Sequence, residues 1–429
     1  MKRVLINNLE EEKECNIRGW IEKIRNTKYM IFLVLKDRSG SIQVSIDKAS
    51  NLECVNALDG VLANSVLSIS GVMHKSEYVK QGGKEFIPSN IQVLSMAEAS
   101  PLEESANIDT RLDYRWIDLR NEKSHLIYEA QTAFVDGMRS YLLENDFTEI
   151  HTPKIIATAS ESGSEVFEVN YFNHPAYLAQ SPQFYKQMAM ASGLERIFEI
   201  APAFRAENSN TNRHATEFTS FDLEFAYIDS YQDVMDMEEA VLVSGITRVK
   251  KLYGDKIKEL FGVDVVVPTR PFPRIKLQDL YQELNKRYQY VIPEHDIGDM
   301  NAEAEKLTSR YAMEEYGHEF IFVTDFAKTK RAFYHMRKDD IPQGYDLIWK
   351  GTEITTGAQR EHRYPILREQ ALEKGLGKDV EFYLQFFKYG CPPHGGFAIG
   401  IDRLTMLLLG LPSLKETMFL FRGPSRLTP

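Results

Sequence analysis

Apolar and polar positions alternate along residues 14–95 in the manner of half-buried strands. ECNIRGWIEKIR, YMIFLVLKDRSGSIQVSI, SVLSISGVMHK and KEFIPSNIQVLSM are separated by Gly, Ser and Asn turns. Five or so short strands in so small a span predict a closed barrel. Residues 96–124 lose the alternation and gain Pro, Ser and charge, which predicts a linker with a short helix. Beyond it Ile127, Ala130, Phe134, Met138 and Leu142 recur at helical spacing. FTEIHTPKI then reads as a strand, and Pro153, which has no amide to give a ladder, places it at an edge or an interface. The expected organisation is residues 1–100 as a barrel, 101–123 as a linker and 124–429 as a second domain.

In the second domain two alternating runs, 198–207 and 218–226, flank a polar loop. Phe198, Ile200, Pro202 and Phe204 share one face, and Phe221, Leu223 and Phe225 fall together in the second run. The opposite face carries Arg205, Glu207, Phe218, Asp222 and Glu224, with Arg213 and His214 in the loop. That face has the equipment to hold a nucleotide and its metal. An amphipathic hairpin with a solvated charged face has the same alternation.

Three further stretches bear chemistry. ATASESGSEVFEV is a Ser/Gly loop holding Glu161 and Glu165, and AYLAQSPQFYKQMAMASGL is a strand, a polar turn and a helix with Lys186. In GYDLIWKGTEITTGAQREHRY, alternation sets Asp346, Ile348, Lys350 and Thr352 against Leu347, Trp349, Gly351, Glu353 and Thr355. A break is expected at Gly357, with Arg360 in a turn and a helix over 364–374. Acidic strand residues beside phosphate-binding arginines suggest Mg²⁺, which takes one or two carboxylates plus phosphate oxygens. Finally, FAIGI leads into a helix that begins at Arg403, where a guanidinium can reach a phosphate with two donors. The glycines fit neither a P-loop nor a dinucleotide-binding fingerprint. A long helix is expected over 230–262, and the elements of 263–345 cannot be ordered from pattern alone.

Composition narrows the class. The 429 residues are 43% hydrophobic and 26% charged, as in ordinary globular proteins. A net charge of −11 gives no global basic character, though a local groove can still bind phosphates. Cys15, Cys54 and Cys391 are far apart and lack ligand spacing, against a disulfide framework or a zinc site. The N-terminus has no signal-peptide core, and no run approaches the roughly twenty apolar residues of a membrane span. A cytoplasmic protein is expected.

In order, these phrases resemble those of the class II aminoacyl-tRNA synthetases, specifically the aspartyl-tRNA synthetases of the archaeal and eukaryotic type. The helix and strand ending at Pro153 look like motif 1, FRAENSNTNRHATEFTSFDLE like motif 2 and GGFAIGIDRL like motif 3. AQSPQFYKQ, GTEITTGAQREHR and PPHGGF point to the aspartate branch. The resemblance implies an α+β architecture: an N-terminal OB-fold that binds the anticodon, then a mixed, mainly antiparallel catalytic sheet flanked by helices. It implies activation of L-aspartate with ATP and transfer to the 3′ end of tRNA(Asp). The implied catalytic residues are Arg205, Arg403 and Glu353.

ATP would meet Arg205, Ala206, Glu207, Arg213, His214, Ala215, Phe218, Glu353, Gly400, Ile401, Asp402 and Arg403. Phe218 and Arg403 would sandwich the adenine. Aspartate would meet Glu161, Gln183, Lys186, Arg205, Thr356 and Arg360, its side-chain carboxylate gripped by Lys186 and Arg360. Mg²⁺ would sit at Glu353, Thr356 and Asp346. In the barrel Arg25, Phe32 and Gln43 match the positions that read the central anticodon base, although Phe32 within IFLVL has the look of a core residue. The implied partners are tRNA(Asp), L-aspartate and a second copy of the chain, with no membrane.

Asparaginyl relatives resemble motifs 2 and 3 but differ at the position of Lys186. The alternatives are an enzyme that also charges tRNA(Asn) with aspartate, an asparaginyl enzyme, and an inactive paralogue serving as an RNA-binding module. The loop YVKQGGKEF and the ending FRGPSRLTP depart from the family pattern, which leaves the tRNA choice and the role of Arg422 open.

Overall fold

The inward positions of residues 14–95 are Ile, Leu, Val and Phe, and they close five strands around themselves. The computed structural model describes residues 2–79, 82–103, 105–157, 166–209, 211–378 and 380–429. It divides into two compact units, Met1–Asn107 and Ile108–Pro429. In the first, β1 (Glu14–Asn26), β2 (Met30–Lys36), β3 (Ser41–Asp47), β4 (Val66–Lys75) and β5 (Lys84–Ser95) form a closed barrel of order β1-β2-β3-β5-β4. Helix α1 (Leu52–Ala57) lies between β3 and β4, and the Asn51 side chain caps it by accepting from the Cys54 amide. Ile17, Ile21, Leu33, Leu35, Val44, Leu67, Ile69 and Phe86 fill the barrel. This is the OB-fold expected from the pattern. Because Ile31, Leu33 and Leu35 point inward, Phe32 is on the outer surface, half-buried, and the core reading of it is excluded.

The second unit opens with α2 (Ile108–Asp113), α3 (Arg115–Asp118) and α4 (Glu122–Glu144). The expected linker over 101–123 therefore ends early, and the physical reason is Arg115. Its guanidinium is buried, pairs with Asp118, and donates to the Tyr128 hydroxyl at 2.7 Å and to the Glu416 and Met418 carbonyls at 2.9 Å each. A cation satisfied this way fixes the segment to the unit that supplies the acceptors.

An eight-stranded sheet organises this unit. Its order is β12 (Arg274–Lys276), β13 (Phe320–Thr324), β16 (Gly344–Trp349), β17 (Thr352–Arg360), β18 (His394–Gly400), β11 (Glu217–Ala226), β10 (Arg196–Phe204) and β6 (Thr148–Glu149). All neighbours are antiparallel except β12/β13 and β10/β6. Strands β7 (Ile155–Ile156), β8 (Glu168–Tyr171) and β9 (His174–Leu178) make a small sheet, and β14 (Arg337–Lys338) pairs with β15 (Ile341–Pro342). One face of the large sheet, with Phe221, Leu223, Phe397, Ile399, Leu347 and Phe322, is buried under α4, α6 (Tyr231–Phe261) and α11 (Ile401–Leu409). Helix α6 starts at a Ser230/Asp233 capping box and stops at left-handed Gly262. The remaining helices are α5 (Gln183–Ala191), α7 (Leu277–Tyr288), α8 (Ala302–Tyr316), α9 (Tyr364–Glu373) and α10 (Glu381–Leu384).

Local expectations were corrected in two places. Pro153 lies outside the strand, which ends at Glu149, although β6 is indeed the edge of the sheet. The run 344–360 is a hairpin, not one strand with a break at Gly357. It turns at Lys350 and Gly351, both at positive φ (47° and 77°), and carries a bulge between Leu347 and Ile348. Asp346 thereby faces Thr356 across the pair, and Arg360 ends β17 instead of lying in a turn. Gly357 stays in the strand because the Tyr345 ring packs onto it, leaving no room for a side chain.

Candidate active site

The sheet face opposite α4, α6 and α11 is not solvated. Glu199 and Glu224 are at most 1% exposed and Asp222 2%, and burying carboxylates requires cations or donors beside them. Glu199 pairs with Lys154 at 2.9 Å and accepts from the Thr152 amide at 2.7 Å. Asp222 lines a cleft of about 350 Å³, within the usual range of small-molecule sites, and Glu224 pairs with Arg360, which lines the same cleft. The solvated-hairpin alternative is thereby excluded.

One end of the cleft is built from β11, β17, β18 and α5. The Lys186 ammonium is 3.0 Å from Asp222 and 3.6 Å from Glu224. Arg360 donates from Nε to Glu224 at 2.9 Å and from Nη2 to the Gly396 carbonyl at 2.8 Å, and its Nη1 lies 3.5 Å from His335 Nε2. A Cβ on Gly396 would meet Leu223 O at 2.1 Å and Glu224 Oε2 at 2.5 Å, so only glycine lets these groups approach. Burial pushes the Glu224 carboxyl up, but Arg360 and Lys186 outweigh it and hold it below its ordinary value. Burial, reinforced by Arg360, drives His335 well below its ordinary value, so its ring is neutral.

The two cations are therefore not free, as the expected grip on a carboxylate required. Two positive and two negative side chains balance, because an uncompensated buried cation costs several kcal/mol. Gln183 and Arg360 line the cleft; Lys186 lies behind its wall.

At the other end, the backbone amide of Arg205, just beyond β10, donates to the Thr216 carbonyl at 2.9 Å, and its guanidinium lies 5.3 Å from the Phe218 ring centroid. Arg205 thus covers the ring that was expected to stack an adenine with Arg403. Arg403, at the start of α11, donates to the Glu353 carbonyl at 3.0 Å. Burial lowers its affinity for its proton, against the pull of Glu353. Arg213 is held by Glu305 at 3.3 Å, and His214 bonds Thr211. Burial, then Arg403, lowers the His214 pKa. Glu207, Ala215, Gly400 and Asp402 also line the cleft, while Ala206 does not and Ile401 is buried in the core. Burial pushes Asp402 up to about 6. The Arg422 side chain donates to its neighbour's carbonyl at 3.2 Å, and its own carbonyl accepts from the Thr216 amide at 3.0 Å.

Between the two ends, Thr356 Oγ1 is 2.9 Å from both Asp346 Oδ1 and Glu353 Oε1. The negative Asp346, then burial, pushes Glu353 up to about 7. Three oxygen donors converging here suit a hard divalent cation. Asp346 is also bound by both terminal nitrogens of Arg331, at 2.8 and 2.6 Å.

The sequence reading missed Arg331, Tyr334, His335 and Glu305. All four come from the stretch 263–345, where short elements left no period to follow. Glu161 lies outside the described residues. In the barrel, Arg25 pairs across the strands with Phe32, its guanidinium 5.9 Å from the ring centroid, and Gln43 donates to Ser45 at 3.1 Å. Phe32 faces Ser45 in turn, so the three expected residues share one outer patch.

Comparison with known proteins gives the same division. A family model described as tRNA synthetases class II (D, K and N) matches residues 107–422, and one described as an OB-fold nucleic acid binding domain matches 15–94. The chain is 40% identical to the aspartate–tRNA(Asp/Asn) ligase of Aeropyrum pernix over 96% of its own length and 94% of that protein's. It is 38% identical to the aspartate–tRNA(Asp) ligase of Pyrococcus horikoshii, over 99% and 98%. Among solved structures, the asparaginyl-tRNA synthetase of Pyrococcus horikoshii complexed with asparaginyl-adenylate superposes with a TM-score of 0.89 at 28% identity, covering 100% of both chains. The aspartyl tRNA synthetase of Entamoeba histolytica gives 0.88 at 29%, covering 100% of this chain and 93% of that one.

Proposed function

The chain belongs to the class II tRNA synthetases of the D, K and N group, and from that premise we propose that it is an aspartate–tRNA ligase. The observation that carries this reading is one cleft with Arg205 and Arg403 at one end and Arg360 at the other. A triphosphate and a small dicarboxylic amino acid fit such an arrangement, and full-length similarity to aspartate–tRNA ligases supports the choice.

In the first step an oxygen of the aspartate α-carboxylate attacks the α-phosphorus of ATP. The new oxygen–phosphorus bond gives aspartyl-adenylate, and the bond to the β-phosphate breaks to release pyrophosphate. Charge builds on the α-phosphoryl oxygens, so fixed cations and not a protein nucleophile carry the catalysis. Arg205 binds the α-phosphate and the attacking carboxylate, and Arg403 and Arg213 line the phosphate tail. Phe218 offers its face to the adenine once Arg205 turns from the ring to the phosphate. Glu353, Thr356 and Asp346 would hold Mg²⁺, which would add positive charge at the phosphates. In the second step a terminal ribose hydroxyl of the tRNA attacks the acyl carbon and AMP leaves.

Arg360, with Lys186 behind it, recognises the substrate's side-chain carboxylate. Since Asp222 and Glu224 already balance their charge, discrimination against asparagine rests on donor directions, not on a net positive pocket. The barrel reads the anticodon through Arg25, Phe32 and Gln43. As the resemblance to the synthetases implies, the enzyme works in the cytoplasm as a homodimer. Among the described residues no helix is long and apolar enough to cross a membrane.

The test is charging of purified tRNA(Asp) with aspartate, together with ATP–pyrophosphate exchange driven by each amino acid. Exchange driven by asparagine and not by aspartate would sink the reading. The Aeropyrum pernix relative favours a second reading in which tRNA(Asn) also accepts aspartate. Absence of product with tRNA(Asn) excludes it.

A further inference from the structure

We infer that Arg331 is a positioning residue that keeps the divalent-cation site weak until a nucleotide is present. The inference rests on the adenylating reading of the cleft but concerns a residue that reading does not use. Arg331 lies at the end of a short turn, its side chain only 10% exposed, with its guanidinium 3.6 Å from the Phe326 ring centroid. Both terminal nitrogens bind Asp346, Nη1 to Oδ1 at 2.8 Å and Nη2 to Oδ2 at 2.6 Å. This two-pronged geometry on a buried carboxylate is stiff as well as strong.

Two consequences follow from counting lone pairs and charges. A carboxylate oxygen has two acceptor positions. Asp346 Oδ1 accepts from Arg331 Nη1 and Oδ2 from Arg331 Nη2, so each oxygen keeps one position, and Asp346 Oδ1 shares the single proton of the Thr356 hydroxyl with Glu353 Oε1. With Arg331 forked onto both oxygens, half of the acceptor positions of Asp346 are left for a cation. In charge, Asp346 and Glu353 supply two negatives and Arg331 returns one positive at hydrogen-bond distance. From these three groups a dication entering the free protein meets at most a single net negative charge, and beside it a fixed guanidinium. The triphosphate brings the missing negative charge and oxygen ligands with it. Ordered this way, metal arrives with nucleotide, and the free enzyme does not trap a cation in a position that blocks the phosphates.

The experiment is a titration of the full-length protein with Mn²⁺ alone, without nucleotide, reading free Mn²⁺ by its electron paramagnetic resonance signal. Wild type, Arg331→Gln and Arg331→Lys are compared, with thermal unfolding recorded at each concentration. Wild type should show no saturable binding below the millimolar range. Arg331→Gln should bind at least tenfold more tightly, Arg331→Lys by a smaller factor, and adding Glu353→Gln to Arg331→Gln should abolish the gain. A purely structural Arg331 predicts no gain in cation binding when it is replaced. Tight nucleotide-free binding by wild type overturns the inference by itself, even if neither variant folds. So does an Arg331→Gln variant that folds and binds no better. Charging activity is measured separately: a wild type that charges tRNA yet binds Mn²⁺ tightly alone defeats this inference only, whereas one that charges neither tRNA defeats the proposed function only.

Discussion

The Lys186 ammonium on α5 lies 3.0 Å from the Asp222 carboxylate on β11, and neither side chain is more than 2% exposed. A pair so placed does little for stability beyond a well-packed apolar pair, but losing one member strands a charge. Lys186→Met should therefore destabilise the protein by about 3–5 kcal/mol, read by denaturant unfolding, and remove aspartate-dependent exchange. Lys186→Met combined with Asp222→Asn should recover a large part of the stability and none of the exchange. No recovery would mean that the pair is not the source of the loss.

Separation of the two units predicts separable chemistry. Arg205→Ala should abolish aspartate-dependent ATP–pyrophosphate exchange, because it removes the cation proposed to bind the α-phosphate. Phe32→Ala should leave exchange at wild-type level and raise the KM for tRNA, since Phe32 lies on the outside of the barrel. Equal losses in both assays for the Phe32 variant would show that the barrel is not a separate reader of tRNA.

A glycine tests the packing behind the substrate end. Gly396→Ala places a methyl 2.1 Å from the Leu223 carbonyl and 2.5 Å from Glu224 Oε2. Backbone cannot yield cheaply, so a stability loss of about 1–3 kcal/mol is expected. Displacement of Glu224 also loosens Arg360, and the KM for aspartate should rise more than the KM for ATP. A variant with unchanged aspartate KM would separate Glu224 from substrate binding.

Glu238 on α6 gives a pH signature. Its carboxyl accepts from the Tyr345 hydroxyl at 2.6 Å in a fully buried site, and burial pushes it up to about 8. Below about pH 4.5 it is protonated in both folded and unfolded chains and costs nothing. As pH rises the unfolded chain ionises first, so stability falls through the window from there to about 8. Glu238→Gln keeps an acceptor for Tyr345 and should flatten that decline, measured as thermal midpoints at pH 5.5 and 8. An unchanged slope would place the titration elsewhere.

How much of this was legible in the sequence depended on whether a segment had a period. The barrel, the helices α4 and α6, and the faces of β11 followed from alternation or helical spacing, since in each case one face is apolar and continuous. In β10 the expected apolar face is buried at Phe198 and fades to an exposed Pro202. The hairpin 344–360 was misread because alternation was followed through a turn whose left-handed residues, Lys350 and Gly351, do not announce themselves as a two-residue loop. Arg331 and His335 lie between short elements, and Arg115 in what composition marked as linker, so no pattern pointed to any of them.

The chain by itself determined which side chains could do chemistry and, in motif order, which family they serve. Those are properties of residue type and spacing, and they survive without coordinates. Tertiary structure alone decided what each charge is doing. Whether Lys186 and Arg360 stand free or are balanced depends on carboxylates 36 and 136 residues away. Whether Asp346 is an open ligand depends on an arginine 15 residues earlier, across a different turn. Electrostatics in a buried site follows distance and burial, and neither is written along the chain.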